Sequence, residues 1–397
     1  MALASCAMTP QPASLGSVRD LLAQLIAFDT TSRGSNLDLI DWVEGFLAPL
    51  GGTVLKIPNE EGTKANLWVR FGPDRPGGVV LSGHTDVVPV DGQPWLTSPW
   101  DLIDAGGRWY GRGTCDMKGF IALCLAHAQT FAAIDLKLPV HFAFSYDEEV
   151  GCAGVTPMIQ AIAASPAAPS VVWVGEPTLW GVVSAHKGIR DYEVTITGKD
   201  GHSSKPALGA SAIHEAVELL SILRRIAREA EANPPLAGAD FDPNYPTLTI
   251  GQINGGTAAN ILARQCRFVF DLRSTPGLDE ALMLAPFFAE VENVRARLAP
   301  FGPECGVVVD KRADAPALEH RPDSPAERLL RELTGDNATR VVPFATEAGQ
   351  FQAAGMSAVI CGPGSIDQAH QPNEFVAASE IERGLLIFQR FIERVRA

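Results

Sequence analysis

Apolar residues recur at helical spacing in two early segments, at Val18, Leu21, Leu22, Leu25 and Ile26 and again at Leu39, Ile40, Val43, Phe46 and Leu47. Gly51-Gly52 stops the second, and short apolar strands are predicted over 53–57 and 67–71. Val79-Val80-Leu81 follows Gly77-Gly78 as a continuous apolar run, the pattern of a strand covered on both faces. A helix over 119–133, a strand over 140–146 and a short strand at Val171–Val174 continue the alternation. The pattern predicts an α/β fold, with a mixed, mainly parallel sheet and helices on both faces.

Between about residues 188 and 314 the pattern changes. Strands are predicted over 191–197, 247–253, 266–272 and around 307–309, with helices over 211–229 and 279–298. The β-α-β-β-α-β order is that of a ferredoxin-like α+β unit, inserted into the first domain. Alternation then returns with a helix over 326–334, a strand at Ser357–Ile360 and a last helix over 378–396. The expected division is 1–187 and 315–397 for the first domain and 188–314 for the insertion. No internal repeat or low-complexity tract interrupts it.

A chain of 397 residues accommodates two domains or three. With 46% hydrophobic and 20% charged residues it has an ordinary globular balance. No apolar run approaches the length of a membrane span. The first eight residues lack a basic region and a sustained apolar stretch, so a short leader is expected there and a secretory signal is not. Seven scattered cysteines without a C-x-x-C point to reduced thiols and a cytoplasmic home. The net charge of −14 would be repelled by phosphate backbones, so no nucleic-acid partner is expected.

The informative fragments follow predicted strands, where an α/β sheet places its ligand crevice. Ser82-Gly-His-Thr-Asp-Val-Val-Pro89 puts His84 and Asp86 two residues apart beyond a buried strand; alone, an H-x-D is as often incidental as functional. In Gly111-Arg-Gly-Thr-Cys-Asp-Met-Lys-Gly119 the glycines allow close backbone approach around Asp116. Asp116 stands where a third phosphate-loop glycine would be, so a carboxylate metal ligand fits better. Three acids meet in Asp147-Glu-Glu149, and adjacent carboxylates repel unless cations sit among them; read alone, a solvated acidic turn is the favoured reading. Glu176 follows another apolar strand, and His370 lies in Ala369-His-Gln-Pro-Asn-Glu374. Nitrogen and oxygen donors without thiolate suit zinc or a similar divalent ion, and carboxylate bridging allows two. His127, His141 and His186 read as structural, His214 as helix surface in H-E-x-x-E, and His320 as part of a charged loop. His202, in Gly201-His-Ser-Ser204, reads as an exposed turn residue suited to meet a substrate.

Taken in order, SGHTDVVP, GRGTCDMKG, DEEVG, GEP, GHSS and AHQPNE resemble the zinc-dependent acetylornithine deacetylase, succinyl-diaminopimelate desuccinylase, aminoacylase and carboxypeptidase family, from about residue 18 to the end. The resemblance implies a two-metal amidohydrolase that removes an acyl group from an N-acyl amino acid. Asp116 would bridge two divalent ions, zinc first, with cobalt and manganese also acceptable to these ligands. His84 and Glu176 would complete one ion, and Glu149 and His370 the other. Asp86 would orient His84, and Glu148 would be the general base. Successive side chains of an extended segment point apart, which would let Glu149 hold metal while Glu148 reaches water.

The resemblance also implies a cis peptide at Asp116–Met117, and an inserted domain that serves as lid and dimerisation domain of a homodimer. His202 would reach the tetrahedral oxyanion across the dimer, and Asn260 and Arg273 would contact substrate. The planar fork of Arg273 suits an α-carboxylate, and a surface salt bridge is its other reading. Thr346-Glu-Ala-Gly349 and Gly175-Glu-Pro-Thr178 look like the acetylornithine deacetylase branch. That makes N-acetyl-L-ornithine the expected substrate, with Glu347 attracting its amine. The alternative is the same chemistry on N-succinyl-diaminopimelate, another N-acyl amino acid, a dipeptide or a xenobiotic amide. A serine hydrolase is not supported, since the chain has no G-x-S-x-G elbow.

Overall fold

The computed structural model describes residues 13–397, so the leader expected over the first eight residues lies outside the described residues. The chain divides into two compact units. One contains the residues up to Ser184 with His320–Arg340 and Thr346–Ala397; the other contains Ala185–Glu319 with Val341–Ala345.

The first unit is built on a six-stranded sheet in the order Thr53–Pro58, Ala65–Phe71, Val140–Ser145, Val79–His84, Val171–Val174, Ser357–Ile360. The last four strands are parallel, Ala65–Phe71 joins them antiparallel and Thr53–Pro58 pairs antiparallel with it in turn, which makes the sheet mixed. Val79–His84 and Val140–Ser145 are buried along their whole lengths, the reason their sequences run apolar without alternation. The edge strand Thr53–Pro58 alternates in exposure instead and tolerates a proline at its end.

Neighbouring residues on a strand point to opposite faces. Gly83 approaches Ile121 and Met117, whereas Ser82 neighbours Glu347, so Lys118–Ala133 and Ala348–Ala353 cover opposite faces of the sheet. Helix Lys118–Ala133 is buried nearly all round, as expected of one enclosed between a sheet and other helices. Its Phe120 packs with Trp173 of the sheet and Phe388 of the last helix, Ala378–Val395, at ring separations of 5.5 and 5.9 Å. Lys118 is fully buried, and its ammonium donates to the Leu25 and Phe28 carbonyls at 3.0 and 2.9 Å. It thereby caps the C-terminal end of helix Leu15–Ile26, where carbonyls otherwise lack partners.

A small three-stranded sheet was not foreseen from the sequence. Phe375–Ala377 pairs with Arg108–Tyr110, which pairs with Ile103–Ala105. Three-residue strands are too short to leave a periodic signal. They bring the segment after His370 alongside the one that leads to Asp116.

The second unit holds a four-stranded antiparallel sheet in the order Thr247–Gly255, Gln265–Ser274, Gly188–Thr197, Gly306–Ala315. With helices Ala212–Ala232 and Glu280–Leu298 this is the ferredoxin-like order expected. Val194, Ile196, Phe268, Phe270 and Leu272 form its core with Leu219, Leu223 and Phe287 of the helices.

His127 and His141 sit as structural residues of the first unit. His127 Nδ1 donates to the Leu123 carbonyl at 2.8 Å and its ring stacks on Phe388 at 4.7 Å; burial lowers its pKa to about 4. His141 Nδ1 accepts from the Trp68 indole at 3.0 Å, and burial with the nearby Arg70 charge lowers it to about 3. Each remains neutral in the folded state while the unfolded chain takes up a proton near pH 6.5, so stability is lost as pH falls. Urea unfolding of a His127→Phe variant should show this directly. Between pH 7 and 5 the parent should lose about 2 kcal/mol relative to the variant, from one proton bound only when unfolded. Parallel pH curves for the two proteins would show that His127 titrates normally in the fold.

Candidate metal centre

The acidic and imidazole side chains of the motifs meet at the carboxyl ends of the parallel strands. His84 is the last residue of its strand. The acids at 147–149 follow Val140–Ser145, and Glu176 follows Val171–Val174. Asp116 lies ahead of helix Lys118–Ala133, and the Asp116–Met117 peptide is cis. Glycine is required close by, because a Cβ on Gly119 would stand 2.5 Å from the Thr114 carbonyl oxygen and Gly113 has φ +84°.

Asp116 lies between the two histidines. Its Oδ1 is 3.0 Å from His84 Nε2, and its Oδ2 is 3.3 Å from His370 Nε2. Glu176 Oε1 stands 3.6 Å from His84 Nε2, and Glu149 Oε2 stands 2.9 Å from His370 Nε2. The five side chains thus fall into two groups that share Asp116. Bonds of ~2.0–2.2 Å in tetrahedral geometry put neighbouring donors ~3.3–3.6 Å apart, close to the separations found here, so the donor set fits divalent cations. Donor atoms of His84, Asp116 and Glu149, and of His84, Glu148 and Glu176, lie within 4.8 Å of one another. Glu148 is therefore as near as a ligand, and spacing alone does not separate it from the other acids.

Electrostatics tell the same story. Burial pushes the Glu148, Glu149 and Glu176 carboxyls up, Glu149 to about 7, and the Asp116 charge adds to each. Burial acts on Asp116 too, but hydrogen bonds from His370 and His84 outweigh it and hold Asp116 below the ordinary range. Burial would lower His84, yet the Glu176 and Asp116 charges leave it well above 6.5. Hydrogen bonds to Asp116 and Glu149 raise His370 to about 10. Such a cluster holds more negative charge than its histidines neutralise, and cations relieve that excess.

The structure refines the account of Asp86 and corrects that of the Glu148–Glu149 segment. His84 Nδ1 is held by the backbone carbonyl of Asp86 at 2.9 Å, with the Asp86 carboxylate at 3.6 Å. That carboxylate instead accepts from the backbone N–H groups of Glu148 and Glu149, at 3.2 and 3.3 Å, and from the Ser32 hydroxyl at 2.7 Å. Glu148 and Glu149 do not lie on an extended segment. They form a turn after Asp147, whose φ is +57°, and this turn directs Glu149 to His370 while Glu148 Oε1 accepts from the Cys152 thiol at 3.3 Å. Lys64 pairs with Asp147 and bonds the Ser32 carbonyl, a support that no motif signalled.

Glu347 is buried, 1% exposed, at the start of helix Ala348–Ala353. Burial raises its carboxyl to about 7 against the neighbouring Ser145 and Ser82 hydroxyls. In the second unit His202 is exposed, and its Nδ1 meets the Ser204 hydroxyl at 2.8 Å. Asn260 lies beside it, its carbonyl accepting from the Ser203 N–H at 3.0 Å. Arg273 Nε pairs with Asp271 at 2.9 Å, the salt-bridge reading of that residue.

Residues 80–394 match the model of peptidase family M20/M25/M40. An acetylornithine deacetylase from Myxococcus xanthus is 35% identical over 384 residues, covering 96% of this chain and 97% of that protein. An M20 family metallo-carboxypeptidase from Sulfolobus solfataricus is similar in structure, with a TM-score of 0.73 at 16% identity over 95% of this chain and 98% of that one. A dinuclear metal-binding M20 peptidase from Bacillus subtilis matches with a TM-score of 0.63 at 14% identity, over 96% and 98% of the two chains.

If Asp86 organises the acidic turn, Asp86→Ala should cost far more than Ser32→Ala. The first strands two backbone N–H groups and a hydroxyl at about 1–3 kcal/mol each, and the second removes one hydrogen bond worth about 1 kcal/mol. Urea unfolding of the metal-free proteins gives both values, and faster amide exchange at Glu148 and Glu149 should accompany Asp86→Ala alone. Equal costs for the two variants would contradict this role.

Proposed function

The chain belongs to peptidase family M20/M25/M40, a family of hydrolases acting on amide bonds, and we propose that it is a two-metal N-acyl-amino-acid amidohydrolase whose substrate is N-acetyl-L-ornithine. The observation that carries the metal reading is the Asp116 carboxylate, one oxygen toward His84 and the other toward His370. The substrate reading is supported by the relatives' names, at 33–35% identity over most of the chain.

In this reading His84, Asp116 and Glu176 hold one ion, and Asp116, Glu149 and His370 hold the other, zinc by the preference of such a donor set. A bound metal pair supplies a water of lowered pKa and polarises the amide carbonyl. Glu148 takes the water's proton on a carboxylate oxygen and returns it to the leaving nitrogen, a role typically worth about 10²–10⁴-fold. Cys152 steadies that carboxylate through its thiol, and its N–H donates to the Glu148 carbonyl at 2.7 Å. Asp86 keeps His84 in the tautomer whose Nε2 is free to ligate.

His202, Asn260 and Arg273 are assigned to the substrate side of the reaction. His202 donates to the developing oxyanion, and Arg273 exchanges Asp271 for the substrate's α-carboxylate, which its fork can bind bidentately. Glu347, whose Oε1 has no hydrogen-bond partner among the described residues, is the acceptor assigned to the distal ammonium. The second unit acts as lid and dimerisation domain of a cytoplasmic homodimer.

Glu148→Ala tests the mechanism. It should lower kcat by about 10²–10⁴-fold while the bound zinc, measured by atomic emission, stays at the parental level. Retained turnover in that variant would remove Glu148 from the reaction. A panel of N-acetyl-L-ornithine, N-succinyl-diaminopimelate, other N-acetyl amino acids and dipeptides at fixed zinc tests the substrate. The highest kcat/KM should fall on acetylornithine, and a higher value for any other member reassigns the specificity. Dialysis against a chelator should abolish all of these activities, and added zinc should restore them.

A further inference from the structure

Glu374 closes the last motif of the chain, four residues beyond His370, and has no place in the reaction just described. Its side chain is 1% exposed. Oε2 accepts from Arg112 Nη1 at 2.7 Å and from the Gly113 N–H at 2.9 Å. Oε1 accepts from the N–H groups of Cys115 and Asp116, at 2.8 and 3.0 Å. A carboxylate has about four acceptor positions, and all are taken, so Glu374 is neither a spare metal ligand nor an open proton carrier. The 111–116 loop has no sheet or helix to receive these buried N–H groups, which must find acceptors elsewhere.

The same turn carries His370 on a fixed backbone. His370 and Asn373 both have left-handed φ, +64° and +58°, a conformation that persists only where its surroundings impose it. Gln93 Nε2 donates to the His370 carbonyl at 2.9 Å, the Leu96 N–H to Asn373 Oδ1 at 2.7 Å, and the Gly111 N–H to the Glu374 carbonyl at 3.0 Å. Arg112 is itself held by Gln93 Oε1 at 2.6 Å and lies over the Trp95 ring. Asp116 and His370 are 254 positions apart in the chain (370 − 116), yet the Glu374 carboxylate bonds the Asp116 N–H directly and connects to the His370 carbonyl through Arg112 and Gln93.

We propose that Glu374 is a positioning residue that presets Asp116 and His370 for cation capture, fixing both before any metal arrives. This rests on the reading of those two residues as metal ligands. A carboxylate is needed because a glutamine would turn an NH₂ group toward one of the two donor pairs.

Two measurements test it. In metal-free parent protein, the amides of Gly113, Cys115 and Asp116 should remain protected from exchange by about 100-fold or more, with little change on adding zinc. Protection that arises only with zinc would overturn the proposal, since the metal would then be ordering the loop. In Glu374→Gln, with a folded state verified by circular dichroism, calorimetric titration with zinc should show affinity weakened by about 10–100-fold. Zinc affinity within about threefold of the parent in the folded variant would also overturn it. If Glu374→Gln does not fold, the double variant Arg112→Gln/Glu374→Gln removes both buried charges together and takes the same titration, with the same weakening expected. The exchange measurement on the parent decides the matter even if neither variant folds. Failure of the parent to bind zinc at all is a separate outcome, which sinks the two-metal reading.

Discussion

Buried like charges are the constraint to which the first unit answers. Four carboxylates, Asp116, Glu148, Glu149 and Glu176, converge around two imidazoles, the buried ring of His84 and the half-exposed ring of His370. Without compensation they would protonate or force the pocket apart. The raised acids and raised imidazoles are the two halves of that compensation, protons standing where cations would serve better. A cluster so unfavourable by itself persists because the scaffold is stiff. The parallel strands are buried on both faces, and helix Lys118–Ala133 is wedged among aromatic rings.

Backbone groups supply most of the local order. The Asp86 carbonyl fixes the His84 ring, and the Asp86 carboxylate gathers the N–H groups of the acidic turn. The second arrangement satisfies N–H groups that lie outside regular secondary structure, so there satisfying the backbone and shaping the pocket are the same act. Because Asp86 serves two neighbours at once, His84 and the Glu148–Glu149 turn are placed relative to each other rather than independently.

Much of this was legible in the residues. Val79-Val80-Leu81 and Val171–Val174 read as buried strands because both faces are covered, and the candidate ligands lie just beyond such strands, where an open α/β sheet exposes its crevice. The ferredoxin-like order of the second unit followed from the change of period after residue 188. What the sequence hid was short or indirect. Strands Arg108–Tyr110 and Phe375–Ala377 are three residues long and leave no period to detect. The left-handed φ of Asp147 turns two adjacent glutamates apart by a bend, where alternation along an extended segment was expected. No pattern of residue types shows that the Asp86 backbone, more than its side chain, meets His84.

The pairing of Phe375–Ala377 with Arg108–Tyr110 also has a consequence in time. Synthesis delivers His84, Asp116, Glu149 and Glu176 well before the strand that seats His370 beside them. A nascent protein can complete most of its hydrophobic core while this wall of the pocket is still missing. Competence to capture cations is therefore withheld until that strand has emerged and paired, however complete the rest of the pocket is by then.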